Sequence, residues 1–316
     1  MKKSLIAMAL AGIVSAPAFA ATSNVDVYGR MHFAIEDTDA DNVDMDIKTN
    51  ASRIGFKGSE DLGGGLKAIW QIEQQFDATS SNDTAFGGNG LRNTFVGLSG
   101  GFGTVVLGRH DTPYKLSTIK YNVFADTIAD YAAPRLDGVN LITGHSRASN
   151  AIAYMSPNMS GLSFAGAIVT SMDQLDAGKS VDAYSLSGGY ANGPLTVDLA
   201  WENIKALSGD DREAWKLGAG YSFGNAKIGA IYEDVSNDIS TDRDSFFLVG
   251  SYGIGAIVLK GQYGQADVGN TDMKAWALGA DYNLSKRTTL FFVVGNGDND
   301  IGDDVTGWNL GMTHNF

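Results

Sequence analysis

Over residues 25–36 the chain alternates strictly, with Val25, Val27, Gly29, Met31, Phe33 and Ile35 on one face and Asp26, Tyr28, Arg30, His32, Ala34 and Glu36 on the other. A period of two marks a strand with two unlike faces. The same split recurs over residues 66–73, 195–202, 215–223, 257–263, 276–282 and 308–316. Across these seven segments the apolar face carries one side chain that titrates near neutral pH, His314, whereas the intervening positions carry ten charged ones: Asp26, Arg30, Glu36, Lys67, Glu73, Asp198, Glu202, Lys216, Lys260 and Asp281. A soluble sandwich also alternates, but its polar face meets bulk water, where Lys, Glu and Thr dominate. Here that face is rich in Gly, Ala and Ser as well as charge, which suits the crowded inner side of a closed wall. The apolar face repeatedly ends in an aromatic, at Tyr221 and Phe223, Tyr263, Tyr282 and Phe316. Aromatics at strand ends form the interfacial girdles of transmembrane barrels.

The connections set the strand number. Short Gly- or Asn-containing turns fall at 61–65, 100–103, 157–161, 191–194, 224–225, 253–255 and 283–286. Longer polar segments fall at 37–46, 77–90, 110–146, 171–182, 203–211, 234–244, 265–272 and 297–305. Seven short and eight long connections alternate, and fifteen connections join sixteen strands. The pattern predicts an all-β fold, a 16-stranded antiparallel transmembrane β-barrel with short periplasmic turns and long external loops. Its last strand pairs with its first, so no edge is left. Parity is least clear over 44–57 and 92–109, where a bulge would shift the register.

Residues 1–20 read as an export signal: Lys2 and Lys3, a short apolar run from Leu5 to Val14, then Ala18-Phe19-Ala20. The run is too short to span a bilayer, which takes about 20 apolar residues. Removal after Ala20 leaves residues 21–316 as the barrel domain. Composition narrows the function. The 316 residues include 40 Gly, 5 Pro and no Cys, so disulfide scaffolds and thiolate metal sites are excluded, and helices are disfavoured. Thirty-six acidic against 23 basic residues give a net charge of −13, unsuited to nucleic acid. His32, His110, His145 and His314 show no metal-ligand spacing. No nucleophile elbow, zinc-protease motif or phosphate loop occurs, so neither enzyme activity nor a cofactor is expected. Asp298-Asn299-Asp300 with Asp303-Asp304 lacks the spaced Glu of a Ca²⁺ loop and reads as a solvated acidic loop.

Several motifs resemble the general porins of Gram-negative outer membranes. They are Val27-Tyr28-Gly29-Arg30, the long run from Ser52 to Ala68, Val96-Gly97-Leu98-Ser99-Gly100-Gly101-Phe102-Gly103, Val106-Leu107-Gly108-Arg109, Asn150-Ala151-Ile152-Ala153-Tyr154 and the terminal His314-Asn315-Phe316. The resemblance implies a homotrimer in the outer membrane, among lipids and lipopolysaccharide, that passes ions and small hydrophilic solutes. It implies that the third long loop, residues 110–146, folds into the pore opposite a basic wall. Arg30, Arg53, Arg92, Arg109 and Arg147 are the candidates for the basic side; Asp111, Asp126 and Asp130 are those for the acidic side. That loop also carries Asp137, Lys115, Lys120 and Arg135. Phe316 looks like the signal read by the barrel-assembly machinery. Much of the acidity sits in outer loops: Asp37, Asp39, Asp41, Asp44 and Asp46; Asp234, Asp238, Asp242 and Asp244; Asp298, Asp300, Asp303 and Asp304. These vestibules predict a mild cation preference at low salt. The rival reading is a surface adhesin or receptor acting through its acidic loops.

Overall fold

The computed structural model describes residues 24–40, 45–79, 90–133, 136, 138–144, 147–170, 181–205, 211–237, 241–300 and 304–316. The expected export signal lies outside them, as do Asp41, Asp44, Arg135, Asp137, His145, Asp238 and Asp303.

The alternating segments form sixteen strands: β1 (Asn24–Thr38), β2 (Asp46–Lys48 continued by Arg53–Gly63), β3 (Leu66–Gln75), β4 (Thr94–Gly100), β5 (Gly103–Asp111), β6 (Arg147–Met155), β7 (Leu162–Val169), β8 (Ala183–Asn192), β9 (Leu195–Ile204), β10 (Arg212–Phe223), β11 (Ala226–Asn237), β12 (Arg243–Ile254), β13 (Ile257–Val268), β14 (Thr271–Asn283), β15 (Thr288–Asp298) and β16 (Val305–Asn315). Each pairs antiparallel with its sequence neighbours, and β1 also pairs with β16 from Arg30↔Asn315 to Thr38↔Gly307, closing the barrel. Two further bonds of 3.1 Å finish the seam, Phe316 N–H to the Gly29 carbonyl and Gly29 N–H to the Phe316 carbonyl. Gly29 has to lack a side chain, because a Cβ there would lie 2.3 Å from the Phe316 ring.

Both stretches of unclear parity contain irregularities. In β2 the partner pairs Arg30↔Arg53 and Ala34↔Lys48 leave one more residue in β2 than in β1. That extra residue lets Lys48 and Arg53, of opposite parity, pair with residues on the same face of β1. The second lies between Gly108 and His110, opposite 148–151, where Asn150 adopts φ 53°.

All seven short turns occur where expected. The segment 265–272 does not form the long loop expected of it: β13 continues to Val268, β14 starts at Thr271, and Gly269 turns the chain at φ 61°. Similarly, β9 extends into 203–211, and β11 and β12 extend into 234–244. Beyond the apolar belt both strand faces are polar, so the alternation vanishes while the hydrogen-bond ladder continues.

The outer face is the apolar one. Val25, Val27, Leu199, Leu217, Leu259, Leu278 and Leu310 are each 46–58% exposed in the isolated chain, a continuous surface that suits lipid and not water. The inner face is lined by small residues, and Ala200, Ala214 and Ala277 lie buried beneath the inward-folded connection between β5 and β6. That connection begins with α1 (Pro113–Thr118), for which Pro113 suits the first position and the Thr112 hydroxyl accepts from the Lys115 N–H at 3.2 Å. One 3₁₀ turn follows, Ile119–Tyr121. Tyr114 packs on Ala200, Ala214 and Val235. Tyr121, Tyr131, Leu141 and Ile142 pack on Ile231, Phe247 and Val249. Phe124, Ile128 and Leu136 pack on Ala34, Ala277, Phe291 and Val293. The segment thus lies against β8–β15 and β1.

The two faces predict unequal tolerance to charge. Leu199→Arg, in the lipid-facing belt, is expected to lower folding stability by about 2–4 kcal/mol in a bilayer, whereas Ser163→Lys on the lumen face changes it little. Urea titration of refolding into vesicles measures both, and equal losses would contradict the assignment of faces.

Candidate functional site

The charged side chains gather where the inward segment faces the open wall. On β3, Glu73 points into the lumen and is 7% exposed. Its carboxylate pairs with the Arg92 Nε at 2.5 Å and the Arg53 Nε at 3.8 Å, and accepts from the Tyr28 hydroxyl at 3.0 Å. Arg92 is further fixed by Gln75 Oε1 at 2.9 Å. The Arg92 and Tyr28 contacts are hydrogen bonds to the carboxylate, and guanidinium–carboxylate bonds are strong and directional, whereas Arg53 is drawn in by charge alone. Glu73 therefore orients Arg92 and holds Arg53 beside it.

A second group forms at the root of the loop. Asp111 receives Lys115 Nζ at 2.6 Å, Arg147 Nη2 at 3.1 Å and Asn93 Nδ2 at 2.9 Å. The Asn93 Oδ1 in turn accepts from Arg147 Nε at 2.9 Å. Burial pulls the Lys115 ammonium below the ordinary lysine value, and Asp111 beside it pulls the other way.

The third contact joins loop to wall. Arg30 Nη1 meets Asp126 Oδ2 at 2.7 Å. Asp126 adopts φ 66°, and Asp130 holds that turn by accepting from the Asp126 N–H at 2.9 Å, the Ala132 N–H at 3.0 Å and Asn122 Nδ2 at 2.7 Å. Of the sequence candidates, the structure thus brings together Arg53 with Arg92, Arg147 with Asp111, and Arg30 with Asp126. Asp130 faces its own loop. Arg109 shares the parity of the outward Leu107 and binds the Leu91 carbonyl at 2.9 Å and the Ser149 hydroxyl at 2.6 Å, apart from the three groups. Phe316 sits at the β1–β16 seam.

Sequence reasoning placed Glu73 and Lys216 on the lumen face without assigning either a part in the site. Lys216 Nζ lies 3.3 Å from Glu233 Oε1, with both side chains fully buried. Glu233 also accepts from the Tyr114 hydroxyl at 2.8 Å and the Thr143 N–H at 2.7 Å, so it pins both arms of the loop. Burial and Glu233 push the Tyr114 phenol well above its ordinary pKa, which keeps it a neutral donor. Around the opening stand five cations, Arg30, Arg53, Arg92, Arg147 and Lys115, and three carboxylates, Glu73, Asp111 and Asp126. This arrangement gathers fixed charges of both signs, with the cations in excess.

Comparison with known proteins agrees with this geometry. The family profile of the Gram-negative porins matches residues 5–316. The major outer membrane protein P.IB of Neisseria meningitidis is 34% identical over 207 residues, covering 62% of this chain and 57% of that protein. A Neisseria gonorrhoeae counterpart is 32% identical over 213 residues, 63% of this chain and 56% of that protein. The match thus spans less than two thirds of these relatives' length. An anion-selective porin from Comamonas acidovorans superposes with a TM-score of 0.80 at 28% identity, covering 93% of this chain and all of that one. OmpF of Salmonella typhi, in complex with daunomycin, shares the fold with a TM-score of 0.77 at 17% identity, covering 94% and 99% of the two chains. From its first strand to its closing seam the chain belongs to the Gram-negative porins, channel proteins of the outer membrane.

Proposed function

We propose that this protein is a general diffusion porin that lets ions and small hydrophilic solutes cross the outer membrane passively, and that it performs no catalysis. The observation that carries this reading is the inward segment held to the wall by Arg30–Asp126 at 2.7 Å, which places loop carboxylates against the basic wall inside the barrel. A pore selects by width and by the charges at its narrowest point. Residues 1–20 are removed on export, three copies assemble, lipid and lipopolysaccharide cover the outer belt, and Phe316 serves barrel insertion; the family resemblance supports each of these. The constriction residues in this reading are Arg30, Arg53, Arg92 and Arg147, opposed by Asp111 and Asp126, with Asp130 bracing the latter.

Selectivity depends on two regions of opposite sign. The outer loops are acidic and open to solvent, where salt screens charge over about 8 Å at physiological strength. The constriction carries excess cations on half-buried side chains, which salt screens less. The Comamonas acidovorans porin, described as anion-selective, supports a basic constriction as a selecting element.

Planar-bilayer recordings should show stepwise conductance. Reversal potentials in a salt gradient should show a mild cation preference at low ionic strength that declines and turns toward anions as salt rises. Anion preference at low salt that weakens with added salt would overturn the division of labour between vestibule and constriction. Glu73→Gln removes a negative charge beside Arg53 and Arg92, so it should raise the anion-to-cation permeability ratio by roughly twofold or more, on the charge-lined-pore rule. An unchanged ratio would remove Glu73 from the conducting path.

A further inference from the structure

Beyond the constriction, toward the short-turn end of the barrel, the lumen wall carries a basic position with no part in the groups described above. Lys227 lies in β11 just after the turn at Gly224. Its neighbour Ile228 is 55% exposed on the outer face, so by alternation Lys227 points into the lumen. Its direct cross-strand partners are Ser222 in β10 and Ser251 in β12. Both share its face, since the adjacent Tyr221 and Tyr252 lie outward. Side chains paired in this way stand about 5 Å apart, within reach of one ligand.

These three residues, with Lys120, Tyr121 and Thr196, line a cavity of about 200 Å³. The inner boundary of that cavity is rigid. A Cβ at Gly218, Gly220 or Gly229 would come within 2.7, 2.9 or 2.6 Å of the Tyr121 ring, so the ring rests on bare backbone. Its hydroxyl donates to Asp198 Oδ2 at 3.1 Å, and Lys120 Nζ meets the same oxygen at 2.6 Å. Asp198 therefore offsets Lys120, as Asp281 offsets the nearby Lys260 at 2.6 Å. Lys227 makes no ion pair among the described residues. An unpaired ammonium flanked by a hydroxyl on each side is a donor set for an oxyanion, which accepts from all three.

We infer that Lys227, Ser222 and Ser251, under Lys120 and Tyr121, form a binding subsite for the oxyanion group of a small solute that has passed the constriction. The inference rests on the diffusion reading and adds a second stopping point to it. Because the subsite lies on one side of the inward loop, occupancy should be sided.

The test is single-channel recording of the full chain in KCl, with inorganic phosphate added to each side in turn. Phosphate from the short-turn side should reduce the current at a lower concentration than from the loop side. Lys227→Gln should raise the half-blocking concentration at least fivefold while KCl conductance persists, and Lys227→Arg should keep the block. Acetate in place of phosphate divides the chemistry: block by both marks a shared oxyanion subsite, block by phosphate alone narrows it to phosphate, and block by neither overturns it. Equal block in the parent and Lys227→Gln overturns it too, as does block that disappears only with Arg30→Ala. If the chain inserts without conducting, the diffusion reading fails, and ³¹P line broadening by the detergent-solubilised protein then decides the subsite: broadening lost in Lys227→Gln supports it, and none in the parent overturns it.

Discussion

Inside a bilayer no water is available to the peptide group, so each N–H and C=O must find a partner within the protein. The seam between β1 and β16 is where this sheet meets that demand, and it does so to the last residue, with Gly29 and Phe316 exchanging both backbone bonds at 3.1 Å. Closure leaves one face of every strand to lipid and the other to a lumen. The strict division between Val25 and Val27 on one side and Arg30 and His32 on the other is its direct expression in sequence.

Closure also dictates where a core can form. A barrel of sixteen strands is too wide for its own side chains to fill, so the packed interior lies between the wall and the segment that folds inward. That explains the small residues on one part of the lumen: Ala200 and Ala214 leave room for Tyr114, and Ala277 leaves room for Phe124. It also explains a fully buried Lys216–Glu233 pair. Removing such a pair from water is costly unless further hydrogen bonds satisfy it, and here the Tyr114 hydroxyl and the Thr143 N–H donate to Glu233, the Thr143 carbonyl accepts from the ammonium at 3.1 Å, and the Tyr114 ring lies 4.0 Å from it. The loop is held on one side by apolar packing and at its root by ions, and the opposite wall keeps its arginines free to face the opening.

The strands were legible because one residue type repeats at every second position, a local signal. The continuation of β13 to Val268 was not, since outside the apolar belt a strand and a loop have the same polar composition. The site was legible in part. Alternation placed Arg30 and Glu73 in the lumen, but which residues meet there depends on closure. Tyr28 and Glu73 are 45 positions apart, Arg30 and Asp126 are 96 apart, and Tyr114 and Glu233 are 119 apart. Resemblance supplied the Arg30 and Asp126 candidates; no spacing rule could have paired them. Arg109 shows the converse failure, for an Arg beside a bulge gives no sign in sequence of the face it takes.

Net charge is the weakest guide of all to a molecule built this way. A value of −13 describes a chain whose acids are divided between strands and connections and whose lumen cations stand in a cluster. Exposed loop charges interact through water and ions, so their influence falls off within a Debye length. Arg30 and Asp126, with side chains 20% and 26% exposed, face one another across a short gap of lower polarisability, where the same charge acts more strongly. Only the wall fixes positions, through the Glu73 carboxylate and the root at Asp111, and a fixed charge continues to act on a passing solute where a mobile one rearranges around it. In the proposed reading, the acidity first visible in the composition therefore acts on the approach to the pore, and a minority of oppositely charged residues, held by their partners, acts on the passage.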